Sequence, residues 1–151
     1  MTPFSRWTFF VGLLACVAAS TALAAAERGT AEEARAMLEQ AIDAVKADKV
    51  KALEAFNAAD GGFRDRDLYV FCVNASDGME TAHPTHKGTK ITDLKDANGF
   101  AFGEAIMETA EDGEIKEVAY MWPRPDSEEP AKKITYVTKV DDQICAVGYY
   151  P

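Results

Sequence analysis

The chain has 151 residues and a formal net charge of −9, from 16 basic and 25 acidic side chains. Hydrophobic residues make up 48% of the sequence and charged residues 27%, which is typical of one folded domain and excludes a disordered chain. The excess of acidic residues argues against a nucleic-acid-binding surface and against docking on an anionic membrane.

Residues 1–24 have the pattern of a secretory signal peptide. Arg6 lies in a short N-terminal part, an apolar stretch follows it, and small residues end the segment. We predict cleavage after Ala24, and cleavage after Ala26 is nearly as good a fit. The pattern therefore predicts export to the periplasm.

Two other interpretations of this leader remain open. The apolar stretch is long enough to span a bilayer, so it could remain as an anchor. The residues before Cys16 also resemble a lipoprotein processing site. Cleaved export is favoured because alanine, serine and threonine dominate the second half of the stretch, and residues 25–151 then form a single exported domain. No membrane contact is expected once the leader is removed.

Helical patterns begin directly after the leader. Thr30 and Glu33 have the spacing of a capping box, which is typical of a helix start. Apolar residues then recur at spacings of three and four, which predicts a long helix with one buried face. Those residues are Ala34, Met37, Leu38, Ala41, Ile42 and Val45. Asp48 predicts the start of a second short helix, which Gly61 and Gly62 end.

The pattern after Gly62 is alternating and predicts strands, with one short helix over 100–110. Strands are predicted at 68–73, 79–83, 115–122, 134–140 and 143–150. Short connections between the last strands require antiparallel pairing. The order of elements predicts an α+β domain, with one five-stranded antiparallel sheet and helices on a face.

Two cysteines remain after the leader, Cys72 in the first predicted strand and Cys145 in the last. An exported protein experiences oxidising conditions, so these two residues are candidates for a disulfide. The bridge requires the two strands to be neighbours. The alternative is two separate buried thiols.

Catalytic and metal-binding patterns are weak in this sequence. His83 and His86 have a spacing found in metal sites, but no third histidine accompanies them. The segment from Asp93 to Asn98 lacks the EF-hand pattern. We find no nucleophile motif and no phosphate-binding loop. The sequence therefore predicts no enzyme activity, no catalytic residue, no metal and no cofactor.

Polar and aromatic residues cluster at the ends of the predicted strands. Lysine, tyrosine and histidine donors beside a tryptophan suit a small organic anion, because the donors hold a carboxylate and the ring packs against a short apolar tail. The candidates are His83, Tyr120, Trp122, Lys133 and Tyr136. The alternative is that the aromatic residues are core or rim residues and that Lys133 is solvated.

Six short motifs occur in an order that resembles the single Cache domain family, and more narrowly its type 2 branch of bacterial extracytoplasmic sensor domains. They are DRDLYVF at 65–71, AHP at 82–84, DLKD at 93–96, YMWP at 120–123, KITYV at 133–137 and VGYY at 147–150. The resemblance covers residues 30–150. It implies a PAS-like five-stranded antiparallel sheet with a long N-terminal helix. It also implies that the first and last strands are adjacent, which supports the disulfide.

The resemblance further implies a small ligand, often a short carboxylate, bound against one face of the sheet by the five candidate residues. Segment 84–88 is shorter than is usual in the family, so we expect a short loop over the pocket. Receptors of this type place the domain between two membrane helices, whereas Pro151 follows directly after the last predicted strand. We therefore expect a free-standing periplasmic domain that presents a small organic acid to a separate membrane receptor or kinase. The alternative function is a structural or protein-interaction subunit without a small-molecule ligand.

Overall fold

The computed structural model describes residues 28–151, so the predicted leader and its cleavage lie outside the described part of the chain. Helix α1 spans Ala31–Ala47 and has the predicted capping box. The Thr30 hydroxyl accepts the backbone N–H of Glu33, and the Glu33 carboxylate accepts the N–H of Thr30. Helix α2 spans Lys49–Ala58 and is capped by Asp48. Both helices were predicted from the sequence, because caps and apolar spacing are local signals.

An antiparallel sheet follows the two helices. Its strands are β1 (Arg64–Asp65), β2 (Leu68–Asn74), β3 (Glu80–Ala82), β4 (Lys116–Pro123), β5 (Pro130–Val140) and β6 (Gln143–Tyr149). The order across the sheet is β1-β2-β6-β5-β4, and β3 pairs with the edge of β2 that also holds β1. The predicted α+β fold with five strands is confirmed. Strand β1 was not predicted, because two residues are too few to show an alternation.

The two faces of this sheet are covered by different elements. We call one the α1 face, because α1 and α2 pack against it over an apolar cluster that includes Leu38, Phe56 and Val147. We call the other the α3 face. It is covered by the 3₁₀ turn Ile91–Asp93 and by helix α3 (Phe102–Thr109). No helix within residues 28–151 has the length and hydropathy needed to cross a membrane.

Two features hold neighbouring elements close together, one within the sheet and one between α3 and the 3₁₀ turn. Cys72 and Cys145 lie directly opposite each other on β2 and β6 and form the expected disulfide. Gly103 lies where α3 contacts the 3₁₀ turn, and a Cβ at this position would overlap the carbonyl oxygen of Ile91. Glycine is therefore needed for α3 to pack this closely.

Candidate ligand-binding site

Four of the five predicted site residues lie together on the α3 face or at its edge. Tyr120 and Lys133 are direct cross-strand partners on β4 and β5. Trp122 lies two residues further along β4, with its ring 6.4 Å from that of Tyr120. His83 follows β3, and its ring centroid is 5.1 Å from that of Tyr69 on β2. The strands thus bring these side chains to one region from separate parts of the sequence.

Tyr136 is not part of this group. Side chains alternate along a strand, so Lys133 and Tyr136, three residues apart on β5, point to opposite faces. Tyr136 packs against the α1-face cluster, and its ring stacks on Tyr149 with the centroids 5.7 Å apart. The structure therefore separates Tyr136 from the other four candidates by the thickness of the sheet.

Lys133 is buried, with 1% of its surface exposed. Its Nζ donates a 2.7 Å hydrogen bond to the Tyr69 hydroxyl and lies 4.3 Å from the centroid of the Tyr69 ring. The end of the lysine side chain occupies the space above Gly148, where any Cβ would collide with it. The lysine is therefore packed into the sheet rather than solvated.

The ammonium of Lys133 has no acidic partner within the described residues. None of the ion pairs in this part of the chain involves it. Burial lowers the pKa of Lys133, because desolvation disfavours the charged form, and smaller charge interactions with Tyr120 and Asp67 oppose this shift. The ammonium also lies 5.5 Å from the centroid of the Tyr150 ring. A buried cation held by one neutral hydroxyl and two aromatic rings is an arrangement that an anion would stabilise.

A groove of about 400 Å³ opens beside Tyr69 and Trp122. Arg64 and Arg124 line it, and neither arginine forms an ion pair within residues 28–151. The Arg124 guanidinium lies 5.2 Å from the centroid of the Tyr150 ring, and its Nε is buried without a hydrogen-bond partner in the described chain. The groove thus combines aromatic walls with two unpaired cations and one acidic residue, Glu128.

His83 adds a neutral donor to the groove. Its Nδ1 accepts the backbone N–H groups of Thr85, at 3.0 Å, and His86, at 3.1 Å. Burial, with smaller contributions from His86 and Lys133, lowers the pKa of His83 to about 3. The ring is therefore neutral near pH 7, and the Nδ1 contacts place its proton on Nε2. This N–H is available to a ligand oxygen.

The inner part of the α3 face is almost filled by aromatic side chains. The Phe102 ring stacks on Tyr120 at 4.2 Å with an angle of 8° between the planes, and it meets Trp122 edge-on at 5.0 Å. The remaining inner cavity has a volume of about 20 Å³. A ligand of several atoms therefore has to occupy the groove, with at most one small group in the inner cavity.

This arrangement suits the recognition of a small anion. Two guanidinium groups and an imidazole N–H line the groove, and the Lys133 ammonium lies behind its wall on the Tyr69 hydroxyl. Charged donors form the strongest hydrogen bonds to carboxylates. Most of the groove wall is apolar, which favours a ligand with a short hydrocarbon part.

Three residues of this site were missed in the sequence. Tyr69 was assigned to a buried strand, yet its position in the alternation places it beside Lys133. Arg124 directly follows the predicted Trp122-Pro123 motif and could have been included for that reason. Arg64 carries no comparable signal, because the two-residue strand that positions it was not recognised.

One protein family matches most of the length of the chain. The sequence profile described as single Cache domain 2 matches residues 11–148. No curated protein sequence matches the chain significantly.

Three solved structures resemble the fold. A methyl-accepting chemotaxis protein from Vibrio parahaemolyticus is 25% identical, with a TM-score of 0.65 over 79% of this chain and 86% of that one. The periplasmic sensor domain of a chemotaxis protein is 24% identical, with a TM-score of 0.60 over 79% and 88% of the two chains. A Cache chemosensory domain described for carboxylic acid recognition is 25% identical, with a TM-score of 0.56 over 79% and 86%. These findings support a sensing role, and the profile match shows that the chain belongs to the single Cache domain 2 family.

Proposed function

We propose that this domain is a periplasmic sensing module that binds a small organic carboxylate in the groove beside Tyr69. The observation that carries the proposal is Lys133, a fully buried ammonium that has no acidic partner in the described chain. Leaving a charge buried and unpaired costs several kcal/mol, and a carboxylate that accepts the Tyr69 O–H would offset part of that cost through the hydroxyl that Lys133 contacts.

Tyr69 connects this cation to the groove. Its hydroxyl accepts the hydrogen bond from Lys133, and its ring forms part of the groove wall. The tyrosine O–H remains free to donate to a carboxylate oxygen. Arg124 and the Nε2–H of His83 supply further donors at the same wall. In this arrangement the ligand carboxylate lies against His83, Tyr69 and Arg124, and its hydrocarbon part packs on Trp122.

Three observations support a periplasmic location and a signalling role. The leader pattern of residues 1–24 predicts export, and a disulfide is typical of an oxidising compartment. Two of the similar structures belong to chemotaxis proteins, and one of these is a periplasmic sensor domain. The partner that would read the ligand-bound state is a membrane receptor or kinase.

Thermal unfolding in the presence of short carboxylates tests this function. The panel is acetate, propionate, butyrate, pyruvate and lactate, with chloride as the anion control. A ligand present at 100 times its dissociation constant stabilises the folded state by about 2.7 kcal/mol, which raises the Tm by several degrees. Failure of every acid in the panel to raise the Tm would contradict the proposal.

Matched variants locate the site. Lys133→Met and Tyr69→Phe each remove one polar group of the proposed site and should weaken the Tm shift. Tyr136→Phe removes a hydroxyl from the opposite face and should leave the shift unchanged. An equal loss of the ligand-induced Tm shift in all three variants would show that the groove is not the binding site.

The second candidate function is a protein-interaction subunit without a small-molecule ligand. The near-complete filling of the inner α3 face by Phe102, Tyr120 and Trp122 favours it. If the domain has this function instead, we expect that no acid in the panel raises the Tm. The groove surface then binds another protein of the signalling assembly, and Arg124→Glu weakens that complex in analytical ultracentrifugation.

A further inference from the structure

Glu80 is a buried acid that the carboxylate site does not use. It lies on β3 opposite Val73, with 5% of its surface exposed. Its Oε2 is buried and has no hydrogen-bond partner in the described chain. It also takes part in none of the ion pairs within residues 28–151. An unsatisfied buried acceptor is unfavourable unless a donor reaches it.

The side chain of Glu80 lines the inner cavity of about 20 Å³. That volume admits one water molecule or one functional group of similar size. The inner cavity shares four wall residues with the groove of about 400 Å³, so the two spaces are neighbours. The shared residues are Tyr69, His83, His86 and Trp122.

We infer that the ligand carries an N–H or O–H donor close to its carboxylate, and that Glu80 accepts a hydrogen bond from this donor. The inference rests on the proposed function, because the carboxylate is held by the cationic groove. The donor then occupies the inner cavity, whose wall includes His83, His86 and Trp122. The ligand class is therefore a small 2-hydroxy or 2-amino acid rather than an unsubstituted fatty acid.

The surroundings of Glu80 are consistent with this role. Burial raises the pKa of Glu80 to about 7, so both its ionised and its neutral form are accessible near neutral pH. The other titratable groups at this cavity are Tyr69, Tyr120, His83 and His86. His83 is neutral and burial raises the pKa of both tyrosines, so these three groups supply no positive charge to Glu80. An ammonium of the ligand would pair with the ionised form, whereas a hydroxyl can donate to either form.

The test uses ligands that differ only in the donor. Propionate, lactate and alanine form one matched set, and butyrate, 2-hydroxybutyrate and 2-aminobutyrate form the second. Isothermal titration calorimetry at pH 7 measures the affinity of the native protein for each compound. We expect a donor-bearing member to bind about tenfold more tightly than its unsubstituted partner, which is the effect of one charge-assisted hydrogen bond.

Two substitutions distinguish the kinds of donor. Glu80→Gln removes the charge but keeps an acceptor, so it should abolish a preference for the amino acid and retain a preference for the hydroxy acid. Glu80→Met removes both acceptors and should abolish either preference. Glu104→Gln, on the exposed side of α3, is the matched control and should leave the affinities unchanged. Circular dichroism confirms that each variant is folded.

The outcomes separate this inference from the proposed function. If the unsubstituted acids bind as tightly as their donor-bearing partners, or if the preference persists in Glu80→Met, the role of Glu80 is wrong while carboxylate binding stands. If none of the six compounds binds, and acetate and pyruvate also fail to raise the Tm, the proposed function fails and the inference fails with it. If only acetate or pyruvate binds, carboxylate binding stands and the role of Glu80 is wrong.

Discussion

The two faces of the sheet are built from different kinds of side chain. The α1 face is an apolar cluster in which Leu38 and Phe56 are fully buried, and the disulfide lies within it. The α3 face is equally buried but holds Lys133 and Glu80, whose charged groups have no ion-pair partner in the described residues. The α1 face therefore needs no partner from outside the protein, whereas the α3 face holds charged groups that lack one.

This difference indicates how the domain divides stability and recognition. Apolar burial needs no partner from outside, so the α1 face can stabilise the fold in every state. Buried groups without partners lower the stability of the empty domain. Ligand binding stabilises the domain most where it supplies these missing partners. Substitutions on the two faces should therefore change stability in opposite directions.

The largest effect is expected from loss of the disulfide on the α1 face. The bridge joins residues separated by 73 positions, and the chain-entropy model assigns such a cross-link about 4 kcal/mol. The double variant Cys72→Ala and Cys145→Ala should lose about this much stability in urea-induced unfolding. An unchanged unfolding midpoint would show that the bridge does not stabilise the folded domain.

Removing an apolar side chain from one face and a charge from the other sharpens the comparison. Leu38→Ala leaves a cavity in a fully buried position and should destabilise the domain by about 3 kcal/mol. Lys133→Met replaces an unpaired buried charge with an apolar chain of similar length and should stabilise the empty domain by about 1–2 kcal/mol. Urea unfolding without ligand measures both. A destabilised Lys133→Met variant would mean that the contacts with Tyr69 outweigh desolvation of the ammonium.

The smallest effect is a pH dependence that arises on the α3 face. Because the folded state raises the pKa of Glu80 to about 7, the folded protein binds this proton more tightly than the unfolded chain does. The contribution of Glu80 to the free energy of unfolding is fully present below the pKa that this residue has in the unfolded chain. It is lost as the pH rises through 7. His83 acts in the opposite sense, since its lowered pKa gives stability that is lost as the pH falls from about 6.5 towards 3.

Comparing native protein with Glu80→Gln isolates the contribution of the acid, because the other titratable groups are common to both proteins. From pH 6 to pH 8 the native protein should lose about 1 kcal/mol of unfolding free energy relative to the variant. Thermal or urea unfolding at several pH values measures the difference. A difference that does not change with pH would show that Glu80 titrates outside this range.

Much of the architecture was predicted from local patterns. The capping box of Thr30 and Glu33, the apolar spacing in α1 and the alternation in β4 depend on interactions within a few residues, which the sequence displays directly. The pairing of Cys72 with Cys145 was less certain from residues alone, because two thiols and a bridge give the same pattern. The family resemblance supported the bridge by implying that β2 and β6 are adjacent.

The site was predicted less completely than the fold. Grouping Lys133 with Tyr136 followed a sequence motif, although their odd separation on one strand places them on opposite faces. Grouping Lys133 with Tyr120 agreed with the structure, because the register of β4 and β5 makes them direct partners.

By itself, the sequence determined the order of the helices and of the five longer strands, the alternation of side chains along those strands and the resemblance to the family. Only the tertiary structure placed the Tyr69 hydroxyl on the ammonium of Lys133 and placed Glu80 at a cavity lined by His83 and Trp122. The physical reason is that hydrogen-bond satisfaction of a buried group depends on which strands become neighbours and in which register, and these contacts join positions far apart in the chain. Residue types can indicate that a charge is present, but only the packed sheet decides whether that charge has a partner.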